Sequence, residues 1–63
     1  MNLPDKIRIT GVDWNERGGD YQIALGDGQQ TIAYAWVLGS PGDRTSHAKA
    51  MAIAERICEG WNA

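Results

Sequence analysis

Residues 43–61 read DRTSHAKAMAIAERICEGW, and this stretch decides the fold. His47, Ala50, Ala54, Ile57, Cys58 and Trp61 recur at helical spacing and share one face. Lys49, Ala52, Arg56 and Glu59 share the opposite face. The periodicity predicts an amphipathic helix over about 44–59. Asp43 is the expected N-cap, with Thr45 or Ser46 as alternatives, and Gly60 is the expected residue just past the helix end. The small Ala50 and Ala54 let this helix lie close to whatever it covers.

What it covers is upstream. Residues 6–10, KIRIT, alternate polar and apolar with the period of a half-buried strand. That alternation puts Ile7 and Ile9 inward, yet Val12 and Trp14 also want the inner face. The phase therefore slips by one residue, and a bulge at Thr10-Gly11 restores it. Asn15 to Asp20 is a turn by composition. Tyr21, Ile23 and Leu25 mark the inner face of a second strand. Gly26-Asp27-Gly28 is the strongest hairpin signal in the chain. A third strand follows, for which the larger apolar set, Ile32, Tyr34, Trp36 and Leu38, is expected inward and Thr31, Ala33, Ala35 and Val37 outward. Gly39-Ser40-Pro41-Gly42 then ends the sheet. The expectation is one α+β domain over 1–63, a three-stranded antiparallel meander (strands about 6–14, 20–25 and 30–38) packed against one C-terminal helix.

Composition narrows the function. A chain of 63 residues buries only about 60% of its unfolded surface, so its core must be helped by close packing or self-association. One cysteine rules out an internal disulfide, and one histidine beside it argues against a protein-only zinc site. No cofactor is implied. The N-terminal residues hold no apolar run of signal-peptide length, and no stretch approaches membrane-spanning length. With a lone unpaired cysteine, the expected location is a reducing cytoplasm, with no membrane partner.

Cys58 and His47 are the obvious catalytic pair, but eleven helical residues separate them by roughly 16 Å. They cannot meet as nucleophile and base. The glycines lack the lysine and helix of a phosphate loop. No enzyme is expected. The net charge is −2, which provides no general attraction for nucleic acid. Asp13, Glu16, Asp20 and Asp27 face only Arg17 over residues 13–27, a local balance of −3. Asp13, Glu16, Asp20 and Asp43 are expected to share a rim at the first-turn end of the sheet, with Arg17 and Arg44 nearby and Asp27 at the opposite end. Lys6 and Arg8 are expected on the open sheet face. That face also holds the candidate partner edge, because residues 31–38 contain neither charge nor proline. A homodimer through this third strand is one expected use of it.

Two resemblances bear on function. The tail AKAMAIAERICEGWNA is similar to the end of many small phage and prophage proteins, whose alanine-rich helix closes in a pattern like A-x-x-I-x-x-x-W/V-N-A. The matching positions are Ala50, Ala54, Ile57, Trp61, Asn62 and Ala63. Short, acidic, motif-free proteins of that origin include anti-CRISPR proteins and other inhibitors of bacterial defence. The resemblance implies a non-enzymatic inhibitor that binds a host protein complex and blocks it sterically, with Asp13, Glu16, Arg17, Asp20, Lys6 and Arg8 as candidate contact residues. The β-β-β-α order also resembles the arm-binding domains of tyrosine integrases, which read DNA with the open sheet face. That resemblance implies a small DNA-binding domain using Lys6, Arg8 and Arg17. Such domains are strongly basic, because phosphate contacts supply much of their affinity. The acidic balance of this chain ranks DNA second.

Overall fold

In a computed structural model, residues 2–15, 17–39 and 46–63 are described. Three strands, β1 (Arg8–Asn15), β2 (Asp20–Gly26) and β3 (Thr31–Leu38), precede one helix, α1 (His47–Asn62). The strands form a single antiparallel sheet in the order β1-β2-β3, the β-β-β-α architecture expected. The helix lies across one face and touches all three strands. The Cα envelope measures 38 × 20 × 12 Å, with a radius of gyration of 12.2 Å. A compact chain of this length would have about 10.6 Å. The domain is therefore a flat slab with much surface and little interior.

The β1–β2 register confirms the phase slip. Ile9 pairs with Leu25, Gly11 pairs with Ala24, and the register shifts at the intervening Thr10. Beyond this bulge Val12 lies opposite Ile23 and Trp14 opposite Tyr21. The extra residue keeps Ile9, Val12 and Trp14 on the helix side, as the hydrophobic pattern requires.

Two side-chain turns close the meander. The Asn15 carbonyl accepts from Gly19 N–H at 2.8 Å, its side chain accepts from Arg17 N–H at 3.2 Å, and Gly19 takes φ 67°. In the second turn the Asp27 carboxylate accepts from the N–H groups of Gln29 and Gln30 at 2.8 and 2.9 Å, an Asx turn. Gly28 supplies the positive φ of 99° there. Gly26 approaches the Gln30 carbonyl so closely that a Cβ at this position would collide with backbone.

β3 is turned over relative to expectation. Cross-strand partners share a face. Val37 pairs with Tyr21, Ala35 with Ile23 and Ala33 with Leu25, so the small residues of β3 lie on the helix side. Val37 is buried and Ala35 packs against the core. Tyr34, Trp36 and Leu38 are 62%, 74% and 78% exposed. Ile32, beside a second register shift, alone of the larger set packs against the core. The reason is the helix. Its buried residues are Ala50, Ala54 and Cys58. A helix lined with such short side chains sits close to the sheet and has no room for an indole on the β3 side. Tyr21 and Ile23 of the central strand provide the large buried side chains instead.

The helix end also differs from expectation. α1 runs through Gly60 to Asn62. His47 is exposed, with its ring edge-on to Tyr21 at 5.5 Å, and Ile57 and Trp61 remain 45% and 40% exposed. The expected cap Asp43 lies outside the described residues. Ser46 holds the N-cap position at φ −72° and ψ −5°, and its side chain does not cap the first turn.

Trp61 and Asn62 carry on because the first residues of the chain hold them. Asn62 accepts from Ile7 N–H at 2.8 Å and donates to Ile7 C=O at 2.9 Å. The side-chain amide thus pairs with Ile7 as a neighbouring strand would. The Trp61 indole N–H donates to Pro4 C=O at 3.0 Å, and Lys6 Nζ donates to Asn62 C=O at 2.6 Å. The lysine places a cation at the negative end of the helix.

Two glycine substitutions should have opposite effects. Gly26→Ala meets the Gln30 backbone and should destabilise the domain by about 2 kcal/mol or more. Gly60→Ala has open space around its added Cβ; inside an exposed helix it should stabilise by up to about 1 kcal/mol. Urea titration of both variants measures the signs.

The Asx turn adds a pH dependence. Its two backbone donors hold the Asp27 carboxyl below its ordinary value of 3.8. A carboxyl depressed in the folded state contributes stability above the unfolded value and loses it as pH falls through the folded value. Asp27→Asn keeps an acceptor but removes the titration. Stability measured from pH 6 down to about pH 3 should fall less steeply in this variant than in the parent chain.

Candidate functional site: the open face of the sheet

The helix covers one side of the sheet. The other side is built from the strand residues that alternate with the core set. The register arranges them in rows: Asn15–Asp20–Leu38 at the first-turn end, then Asp13–Gln22–Trp36, then Gly11–Ala24–Tyr34. Arg8 pairs with Gly26 at the hairpin end.

Along β3 this face is apolar. Tyr34, Trp36 and Leu38 follow one another at every second residue, roughly 7 Å apart. Single exposed apolar residues are ordinary on protein surfaces, but three in line on one strand form a patch. The Gly11–Ala24 part of the middle row carries almost no side chain, so the surface beside Tyr34 is low. Asp13 and Gln22 stand next to Trp36 along their row, and Asp20 next to Leu38. Asp13 and Gln22 are exposed, while Asp20 is half-buried. Among the described residues, Asp20 Oδ1 and Trp14 Nε1 are buried polar atoms with no hydrogen-bond partner. The resulting surface is an aromatic–aliphatic stripe with carboxylates along one flank.

The five described residues among the six singled out in the sequence do not converge on one spot. Asp13 and Asp20 share the first-turn half of the open face, and Arg17 is exposed in the adjoining turn. Glu16 lies outside the described residues. Arg8 is at the far end of β1, roughly 16 Å from Asp13 along the strand. Its Nη2 lies 2.6 Å from where a Cβ on Gly28 would stand, so the guanidinium reaches over the hairpin turn. Lys6 is not on the open face, because its ammonium is engaged by the helix C-terminus. The basic sheet surface expected from Lys6 and Arg8 together is not assembled. Ala33, Ala35 and Val37, expected on the open face, belong to the helix side.

Sequence reasoning missed the stripe itself. Hydrophobicity alone places Tyr34, Trp36 and Leu38 in the core, because they are the larger apolar residues of the strand. The signal that points the other way is the abundance of alanine in both β3 and the helix. Two small surfaces pack closely against each other and leave the large side chains outside.

Other concavities carry less chemistry. An open cleft of about 450 Å³ lies between β1 and the helix, lined by Ile7, Ile9, Met51, Cys58 and their neighbours. Burial, and then the Glu55 carboxylate, push the Cys58 thiol above its ordinary value. The thiol stays protonated, opposite to what a nucleophile needs. A smaller polar cleft of about 240 Å³ lies between Thr10 and the hairpin turn. Among the described residues no three His, Cys, Asp or Glu side chains are grouped to hold a metal ion. No helix among them is long and apolar enough to cross a membrane.

No protein-family model, curated protein or solved structure matches the chain.

The outward orientation of the stripe has a direct thermodynamic consequence. Trp36→Ala removes a side chain that is 74% exposed and should change stability by no more than about 0.5 kcal/mol. Tyr21→Ala removes a buried ring from the centre of the core and should cost about 3–5 kcal/mol or unfold the domain. Denaturant titration followed by circular dichroism measures both.

Proposed function

We propose that the chain is a non-enzymatic binding protein, an inhibitor of the phage type, that docks on a protein complex in the host cytoplasm and blocks it sterically. The observation that carries this reading is the row of Tyr34, Trp36 and Leu38, largely exposed on one strand face with Asp13 and Asp20 along the flank. Aromatic residues that stand exposed yet are held rigidly by a sheet are the anchors from which protein interfaces draw most of their energy. Carboxylates at the side speed encounter with a basic partner and set its orientation. The complementary surface is thus an apolar groove edged by lysine or arginine, as on a protein that handles nucleic acid. The phage attribution rests on the closing pattern of the helix. Within the fold, Trp61 and Asn62 of that pattern tether Pro4 and Ile7.

A second reading is supported by the same aromatic pair. Tyr34 and Trp36 stand on an open sheet with a spacing suited to stacking on successive bases. The charges oppose it. Asp13 and Asp20 occupy the stripe's flank, and Arg8 is at the far end of the face.

One experiment separates the two. Tagged parent chain, Trp36→Lys and Asp13→Lys are used to capture proteins from host lysate. In parallel, each is titrated with labelled DNA and RNA oligonucleotides at about 50 and 200 mM salt. The proposal predicts a captured protein that is lost with Trp36→Lys and weakened about tenfold with Asp13→Lys. It also predicts no nucleic-acid binding. Oligonucleotide binding that falls steeply with salt and is strengthened by Asp13→Lys establishes the second reading in its place.

A further inference from the structure

We infer that β3 pairs with β3 of a second copy, joining two sheets into one six-stranded sheet and two apolar stripes into one. This inference concerns the edge of the sheet and does not depend on what docks on its face.

The argument begins with the direction of the backbone groups. Gly39 N–H donates to Gly19 C=O at 2.6 Å, and the register continues through Val37–Tyr21, Ala35–Ile23 and Ala33–Leu25. In an antiparallel ladder both backbone groups of a residue point to the same side, and the side alternates along the strand. Val37, Ala35 and Ala33 therefore direct their N–H and C=O groups to β2. Tyr34, Trp36 and Leu38 direct theirs to the free edge. The residues with unused backbone donors and acceptors are the ones whose side chains form the stripe.

The two edges of the sheet differ. β1 carries Arg8, Asp13 and a bulge at its third residue, Thr10. These features discourage pairing. β3 carries no charge and no proline, and its register shift lies near its first residues. Each chain has a net charge of −2. Approach through β1 would have to accommodate Arg8, Asp13 and a bulge at the seam, whereas approach through β3 brings no charged side chain to it. No charged side chain of β3 opposes self-pairing.

Parity restricts the pairing. A residue that points outward must oppose one that also points outward. Placing Ala35 opposite Ala35 of the second copy meets this condition over most of the strand. Tyr34 then opposes Trp36 of the second copy, and Trp36 opposes Tyr34 of the second copy. Both are hydrogen-bonded pairs on the open face, and aromatic cross-strand pairs are favourable. The twofold axis is perpendicular to the sheet, so both helices stay on one side and both stripes on the other. The docking surface becomes twofold, with six large apolar residues in its middle.

The area sets the strength. Edge pairing covers backbone and side-chain flanks along one strand and leaves the faces of both stripes open, so a pair covers less than the roughly 1,200 Å² of a standard stable interface. The flat slab and its small core leave the domain short of buried surface, and strand pairing supplies more. The dimer is thus a weak, micromolar-range association.

Sedimentation equilibrium of the full chain from about 10 µM to about 1 mM is the first test. The inference predicts a reversible monomer–dimer equilibrium. Tyr34→Pro removes an outward N–H that β2 does not use, which an edge strand tolerates. Tyr34→Lys adds an edge charge. Each should weaken the dimer at least tenfold, roughly, and circular dichroism of the monomers checks that both fold. Cross-linking then tests the register. With Cys58→Ala removing the native thiol, Ala35→Cys should oxidise to a disulfide-linked dimer, because its own copy lies opposite in a close, non-hydrogen-bonded pair. Ala33→Cys in the same background should not. A strict monomer across the concentration range overturns the inference. So does a dimer that is unaffected by both Tyr34 substitutions, or failure to cross-link by an Ala35→Cys chain that circular dichroism shows to be folded.

Discussion

Ala50 and Ala54 of the helix and Ala35 and Val37 of β3 lie on the two sides of one interface, and their small size governs the structure. Close approach of the helix leaves space for large side chains under the central strand and toward β1, where Tyr21 and Ile23 are almost completely buried and Trp14 packs against the core. It leaves none on the β3 side. The indole of Trp36 and the phenol of Tyr34 are therefore outside because of what the helix is made of. The polarity of β3 does not decide it, since both of its faces are apolar. A strand with two apolar faces next to a single helix must expose one of them, and packing geometry selects which.

The ends of the chain provide the second constraint. A helix of this length has limited contact with a narrow sheet, and its last turn extends past the expected stop at Gly60. Asn62 binds the backbone of Ile7 from both sides, Trp61 reaches Pro4, and Lys6 sits on the last carbonyls. These contacts join residues more than fifty positions apart, and they hold the last turn of the helix against the residues that lead into β1. They also give the Trp-Asn-Ala tail a structural role that is separate from any partner. The two turns, by contrast, are local devices. Asn15 and Asp27 each satisfy nearby backbone donors with their own side chains, so those donors need no partner from the helix.

Much of this was legible in the residues. The order of elements, the bulge at Thr10, the inner faces of β1 and β2, and both turns follow from period-two alternation and turn chemistry, which act over a few positions. The phase of β3 was not legible from the strand alone. Its alternating sets are Ile-Tyr-Trp-Leu and Thr-Ala-Ala-Val, and hydrophobicity favours burying the first. The deciding information was the spacing of alanines in the helix, some fifteen residues further on. The candidate site was half legible for the same reason. Asp13 and Asp20 were identified as surface residues, but the aromatic stripe beside them is visible only once the sheet is turned over. The alternation of residues 6–10 points Lys6 to the open face, and nothing near it in the sequence shows that Asn62 stands beside it.

The outward face of β3 is the claim on which the docking surface and the paired edge both depend. A nuclear Overhauser spectrum of the chain at low concentration tests it most directly. The structure predicts strong contacts between the Val37 methyls and the Tyr21 ring, and none between the Trp36 indole and the methyls of Ala50 or Ala54. Contacts from the Trp36 indole to those helix methyls, with Val37 free of Tyr21, would contradict it.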